Sequence, residues 1–243
     1  MKPVLLCLHG WGGSKESFDP LVKELKGAEI DVLVPDLPGF GSEPEPSRPW
    51  NVDDFVDWAI SYLNEKVPDL SDREIFLLGH SHGGRISIKI AANEGIPLSH
   101  LYLCAAAGIR HKRHIKRIIG LTLSKTGKTL LSIPGLRSLK PIGKKLMYKI
   151  VRVHDYEKAS ETMRKTLVNV SAEDLRPLLK DIKVRTDIFW GKQDSLTPFS
   201  DAKIMEAEIT DSILHSYPET RHAVHKTEAK DIAKAIITRV KQD

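Results

Sequence analysis

The chain has 243 residues, of which 41% are hydrophobic and 28% charged, an ordinary globular balance that excludes a disordered or low-complexity protein. No apolar run approaches the roughly 18 residues of a membrane span, and the N-terminal MKPVLLCLHG has no small-residue cleavage site, so a soluble cytoplasmic protein is expected. Net charge is +5, and Cys7 and Cys104, each inside an apolar run, exclude a disulfide framework.

In chain order, strands are expected at VLLCLH from Val4, DVLVPD from Asp31, EIFLLGH from Glu74, LYLCAA from Leu101, TDIFWG from Thr186 and SILHSY from Ser212. Their hydrophobicity is nearly continuous rather than alternating, as in strands covered on both faces of a parallel sheet. Helices are expected between them. One runs from Ser14 to Lys26. A second starts at the N-cap Asn51, with Trp50 and Phe55 placed as a hydrophobic staple. Others run from Gly83 to Glu94, from Ser171, where Asp174 completes a capping-box pattern, to Lys180, and from Glu228 to Val240. Alternating strand and helix predict an α/β fold with a doubly wound, mostly parallel six-stranded sheet.

The alternation breaks after the fourth strand. Between Gly95 and His154 the chain has no Asp or Glu but carries thirteen Lys and Arg, beginning with Arg110, Lys112, Arg113, Lys116 and Arg117, while the rest of the chain is net acidic. Residues 108–169 are therefore expected to form a basic helical cap inserted in a core of residues 1–107 and 170–243, with Pro134, Gly135, Pro141 and Gly143 dividing it into short helices. Ile109, Ile115, Ile118, Ile119, Leu121 and Leu123 interleave with the cations. That pattern suits solvent, an anionic lipid surface at the membrane periphery, or an acidic partner.

Gly79-His80-Ser81-His82-Gly83 follows the third strand and opens a helix, the context that a G-x-S-x-G nucleophile elbow requires. Such a serine is a poor nucleophile until an imidazole takes its proton and a carboxylate fixes that imidazole. His80 and His82 flank Ser81 on opposite sides of a sharp turn and do not converge on one ion, so neither metal nor cofactor is expected.

With this elbow, His9-Gly10-Trp11-Gly12-Gly13, Asp36-Leu37-Pro38-Gly39-Phe40-Gly41 and Trp190-Gly191-Lys192-Gln193-Asp194-Ser195-Leu196-Thr197-Pro198, the sequence resembles the α/β-hydrolase family over nearly all of the chain outside the cap. The resemblance implies the α/β-hydrolase fold, here without its N-terminal hairpin. It also implies Ser81 as nucleophile, Asp194 as acid, His222 as base, and the backbone N–H groups of Trp11 and His82 as the oxyanion hole. Thr220 and Arg221 stand where the family has G-x-G before its histidine, and His225 is the alternative base. His9 is expected to brace its glycine loop and Asp36 to order the loop after the second strand.

The implied activity is hydrolysis of small-molecule carboxylic esters with short to medium acyl chains through an acyl-enzyme. Lactone, thioester or C–C bond hydrolysis would use the same triad, and the rival outside catalysis is a lipid- or carrier-protein-docking module. HGWGG with DLPGFG is similar to the pimeloyl-carrier-protein methyl ester esterases, which implies an acidic carrier protein as a partner for the basic cap. No nucleic acid is expected, and the sequence leaves the oligomeric state open.

Overall fold

The computed structural model of the protein describes residues 1–93, 95–110 and 159–241. All six expected strands are present: β1 (Val4–Leu8), β2 (Asp31–Leu33), β3 (Ile75–His80), β4 (Leu98–Cys104), β5 (Thr186–Gly191) and β6 (Ser212–Tyr217). They pair in the order β2-β1-β3-β4-β5-β6, and every pairing is parallel. β1, β3 and β5 are buried at every position, which accounts for their continuous hydrophobicity. The edge strands β2 and β6 are half-exposed.

The expected helix from Ser14 resolves into a 3-10 turn, Lys15–Phe18, and α1 (Asp19–Glu24), with Pro20 in the first turn of the latter. In α2 (Val52–Lys66) the Asn51 side chain accepts from the Asp54 N–H and the Asp54 carboxylate accepts from the Asn51 N–H, closing a capping box. The Trp50 and Phe55 rings meet edge to face at 4.9 Å as the staple requires. α3 (His82–Ala92) has Ser81 as its N-cap and packs on α2 and the centre of the sheet.

The helix expected from Ser171 differs. Ser171 instead lies in the last turn of α4 (Glu161–Ala172), and a separate 3-10 helix covers Arg176–Asp181. Tertiary contacts override the local capping pattern: Thr166 Oγ1 accepts from the Trp50 N–H at 3.0 Å, and Asn169 Nδ2 donates to the Trp50 carbonyl at 3.2 Å. Asp174 accepts from the Arg176 N–H at 3.2 Å, where it serves the 3-10 helix, and from the Arg110 N–H at 3.1 Å. α5 (Phe199–Glu208) follows β5, and the short α6 (Val224–Thr227) precedes α7 (Ala229–Val240), which packs on α1. Most of the expected cap, residues 111–158, lies outside the described residues.

The chain runs from β1 to its neighbour on one side, β2, and then to its neighbour on the other, β3. The carboxyl ends of β1 and β3 therefore form a topological switch point, where a doubly wound sheet opens a crevice. The His9 loop and Ser81 leave the sheet there.

Candidate active site

Ser81 caps α3 with φ 52° and ψ −108°, a conformation that L residues adopt only under constraint. The constraint is visible in the backbone. The Ser81 N–H donates to the Cys104 carbonyl at 3.1 Å, and the Ser81 carbonyl accepts from Ala107 at 2.8 Å and Arg85 at 3.1 Å. Gly83 donates its N–H to the His9 carbonyl at 3.0 Å, and a Cβ there would lie 1.9 Å from the Leu8 carbonyl oxygen. Only a glycine lets α3 come this close to β1.

Asp194 and His222 are brought together: His222 Nδ1–H donates to Asp194 Oδ2 at 2.7 Å. The Asp194 side chain is fully buried. Its Oδ1 accepts the N–H groups of Leu196 at 2.8 Å and Thr197 at 3.1 Å, and Oδ2 also accepts the Thr197 hydroxyl at 2.7 Å. Burial alone would raise this carboxyl's pKa, but the His222 bond and charge, the Thr197 hydroxyl and the Leu196 N–H outweigh it and hold the pKa below its ordinary value. Among the described residues no hydrogen bond joins the Ser81 hydroxyl to His222; a proton-transfer contact of this kind often tightens only with substrate bound.

The alternative base, His225, makes no hydrogen bond to Asp194 or Thr197. Both of its ring nitrogens are buried without a hydrogen-bond partner, and burial pushes its pKa down to about 3. It packs instead against His80, with ring centroids 3.7 Å apart and the ring planes tilted by 30°. His80 Nε2–H donates to the His222 carbonyl at 3.1 Å, tying the end of β3 to the loop after β6. Burial, then the neighbouring His225 and His222, lower the His80 pKa well below its ordinary value, so the ring is neutral.

Trp11 and His82 also meet. Their rings lie edge to face at 5.4 Å, with Phe40 on the far side of Trp11 at 4.9 Å and Phe55 beside His82 at 4.8 Å. Neither backbone N–H finds an acceptor among the described residues, and that of His82 is one of the unsatisfied donors in the first turn of α3. The His82 ring is buried, which takes its pKa down to about 3. His9 donates from Nδ1 to the Gly10 carbonyl at 2.8 Å and accepts the Leu37 N–H at Nε2 at 2.9 Å, a brace between two loops. Asp36 accepts the Lys15 N–H at 2.7 Å and the Ser42 N–H and hydroxyl at 2.9 Å each, which orders its own loop. No cluster of three metal-ligating side chains occurs among the described residues.

Sequence reasoning passed over Thr197 and the role of His80. A hydroxyl three residues after the acid was the available signal for the first; the second depends on a contact across 142 positions.

A parallel doubly wound sheet with a strained serine at its switch point, and an Asp–His pair on the loops after β5 and β6, defines a class of hydrolase. Residues 5–235 match the alpha/beta hydrolase family, and the chain belongs to it. The uncharacterized hydrolase YugF of Bacillus subtilis (strain 168) is 26% identical over 255 residues, covering 99% of this chain and 90% of that protein. Lipase 1 of Psychrobacter immobilis is 27% identical over 203 residues, 79% of this chain and 62% of its own length. Among solved structures, MenH from S. aureus matches with a TM-score of 0.73 at 24% identity over 100% of this chain and 94% of that one. The esterase EaEST from Exiguobacterium antarcticum matches with a TM-score of 0.72 at 24% identity over 98% and 92%. No helix among the described residues is long and apolar enough to cross a membrane.

Proposed function

We propose that the protein is a serine-dependent carboxylic-ester hydrolase acting on small esters of short to medium acyl chain through an acyl-enzyme. The observation that carries this reading is the hydrogen bond from His222 to the buried Asp194, on the side of the sheet where Ser81 is held in its strained turn. Ser81 Oγ attacks the ester carbonyl while His222 Nε2 takes its proton, and Asp194 stabilises the resulting imidazolium. The N–H groups of Trp11 and His82 receive the oxyanion. Collapse expels the alcohol with the proton from His222; water, deprotonated by the same ring, then attacks the acyl-serine, and the acid leaves with Ser81 reprotonated. A relative named as a lipase supports ester chemistry. Lactones and thioesters remain substrates that this machinery accommodates.

Segment 108–169 is proposed as a docking surface for an anionic lipid surface or an acidic carrier protein, on the strength of the thirteen Lys and Arg, with no Asp or Glu, between Gly95 and His154. The mechanism is tested by labelling with a fluorophosphonate and by hydrolysis of a chromogenic short-chain ester. Wild type should be labelled once and be active, and Ser81→Ala should lose both properties. Labelling that survives Ser81→Ala refutes the mechanism, and an unlabelled, inactive wild type favours a docking module without turnover.

A further inference from the structure

We propose that Thr197 is a positioning residue of the triad, whose hydroxyl holds the Asp194 carboxylate in its orientation toward His222, next to the stretch of chain that braces the nucleophile. This deepens the triad reading and rests on it.

Thr197 Oγ1 lies 2.7 Å from Asp194 Oδ2, 3.2 Å from the Ala105 carbonyl oxygen and 3.2 Å from His222 Nδ1. The hydroxyl has one proton, and the ionised carboxylate at 2.7 Å is its strongest acceptor. With it, the four donors around Asp194 are complete: two N–H groups on Oδ1, and the Thr197 hydroxyl and His222 Nδ1–H on Oδ2. Thr197 is itself fixed, because its carbonyl accepts the indole N–H of the fully buried Trp190 at 3.0 Å.

The Ala105 carbonyl oxygen is the alternative acceptor for that one proton, and Ala105 is no ordinary neighbour. It has φ 44°, and among the described residues it and Ser81 are the only non-glycine residues with positive φ. The two strained residues are linked, since Ser81 is bonded through its N–H to Cys104 and through its carbonyl to Ala107. The Ala105 N–H in turn donates to the Phe189 carbonyl of β5 at 2.9 Å. One turn of chain after β4 thus grips the nucleophile through the backbone and lies against the Thr197 hydroxyl that holds the acid. A valine has the shape of threonine but cannot make this link.

Removing the hydroxyl leaves Oδ2 to His222 alone. The carboxylate then becomes freer to rotate, which misaligns the base, and a stronger partner for the imidazolium, which makes the base harder to empty of its proton. Burial is the main cause that lowers the pKa of each of the nearby histidines His80, His225 and His9 below its ordinary value. The acid limb of the rate profile therefore reports the Asp194–His222 pair.

Wild type, Thr197→Val and Thr197→Ser should be compared by kcat, KM and the pH profile of kcat/KM on a neutral chromogenic ester, with thermal melting as a check of folding. Thr197→Val should lower kcat by about ten- to a hundred-fold at unchanged KM, the loss expected for one hydrogen bond to a charged group, and move the acid limb to higher pH. Thr197→Ser should restore both. If the valine variant melts early, Thr197→Ala, which adds no volume, should give the same kinetic result. A valine variant with wild-type kcat and an unmoved limb overturns the proposal, as does a serine variant as impaired as the valine. Failure of the underlying reading looks different, because wild type itself would then be unlabelled by the fluorophosphonate.

Discussion

Replacing Asp194 by asparagine changes almost no volume, yet the hydrogen bonds around it admit one orientation. The N–H groups of Leu196 and Thr197 point at Oδ1 from 2.8 and 3.1 Å, so the amide oxygen must take that side. The NH2 group then occupies the place of Oδ2, 2.7 Å from His222 Nδ1. Facing a donor, Nδ1 must accept, and the ring proton moves to Nε2, the atom that has to be empty to receive the Ser81 proton. The Thr197 hydroxyl still has the Ala105 carbonyl at 3.2 Å to turn to, so the variant should fold. The same exchange in serine proteases lowers kcat about 10⁴-fold, equivalent to about 5.5 kcal/mol of transition-state stabilisation, and a similar loss is expected here at nearly unchanged KM.

The carboxylate also contributes to stability. Its folded pKa is depressed, so this contribution is complete above the unfolded value of about 3.9 and is lost as pH falls through the folded value. The stability gap between wild type and Asp194→Asn should therefore be widest near neutrality and close on acidification below about pH 4. Steady-state kinetics and urea unfolding at both pH values measure the two effects. A variant within about tenfold of wild-type kcat would refute the argument, because the proposed triad assigns Asp194 a larger role.

His222→Ala should lower kcat by several orders of magnitude in a folded protein, whereas His225→Ala, whose ring lacks any hydrogen bond, should act on the melting temperature more than on kcat; a dead His225→Ala with an active His222→Ala reverses the assignment. Sedimentation with anionic vesicles and pull-down with an acyl carrier protein should both be screened out as the Debye length falls from about 10 Å at 0.1 M to about 3 Å at 1 M salt, while turnover of a neutral ester stays constant. Changing Arg110, Lys112, Arg113, Lys116 and Arg117 to Gln should abolish retention of whichever bait binds. Absence of binding by wild type at low salt would leave the basic segment a solvated surface.

The strands were legible because burial on both faces leaves an unbroken apolar run, as in the Ile75–His80 strand, and the elbow was legible because its G-x-S-x-G pattern sits between such a run and a helix, although Gly83 is required by the distant Leu8 carbonyl of β1. Asn51 could be read as a cap because the box closes within three residues. The pattern at Ser171 is equally local and fails there, since the side chains of Thr166 and Asn169 hold the helix onto the Trp50 backbone. The family motif named Asp194 and His222, but the sequence alone could not separate His222 from His225; the choice depends on which ring reaches Asp194 across 28 positions. The roles of Thr197 and Ala105 were hidden for a related reason: a hydroxyl and a carbonyl acquire meaning only once β4 and β5 lie side by side.

The bond from His80 to the His222 carbonyl spans 142 positions, and the two contacts that seat Trp50 against α4 span 116 and 119. A chain emerging from the ribosome thus exposes Ser81 long before anything exists to deprotonate it. The strained turn itself waits for Cys104 and Ala107. Reactivity is consequently a property of the finished topology and not of any fragment. On the proposed mechanism a partly unfolded molecule should be inert toward esters instead of indiscriminately reactive, and loss of turnover on heating or in denaturant should coincide with the cooperative transition seen by spectroscopy. Turnover by the proposed triad would double as a readout of the native fraction.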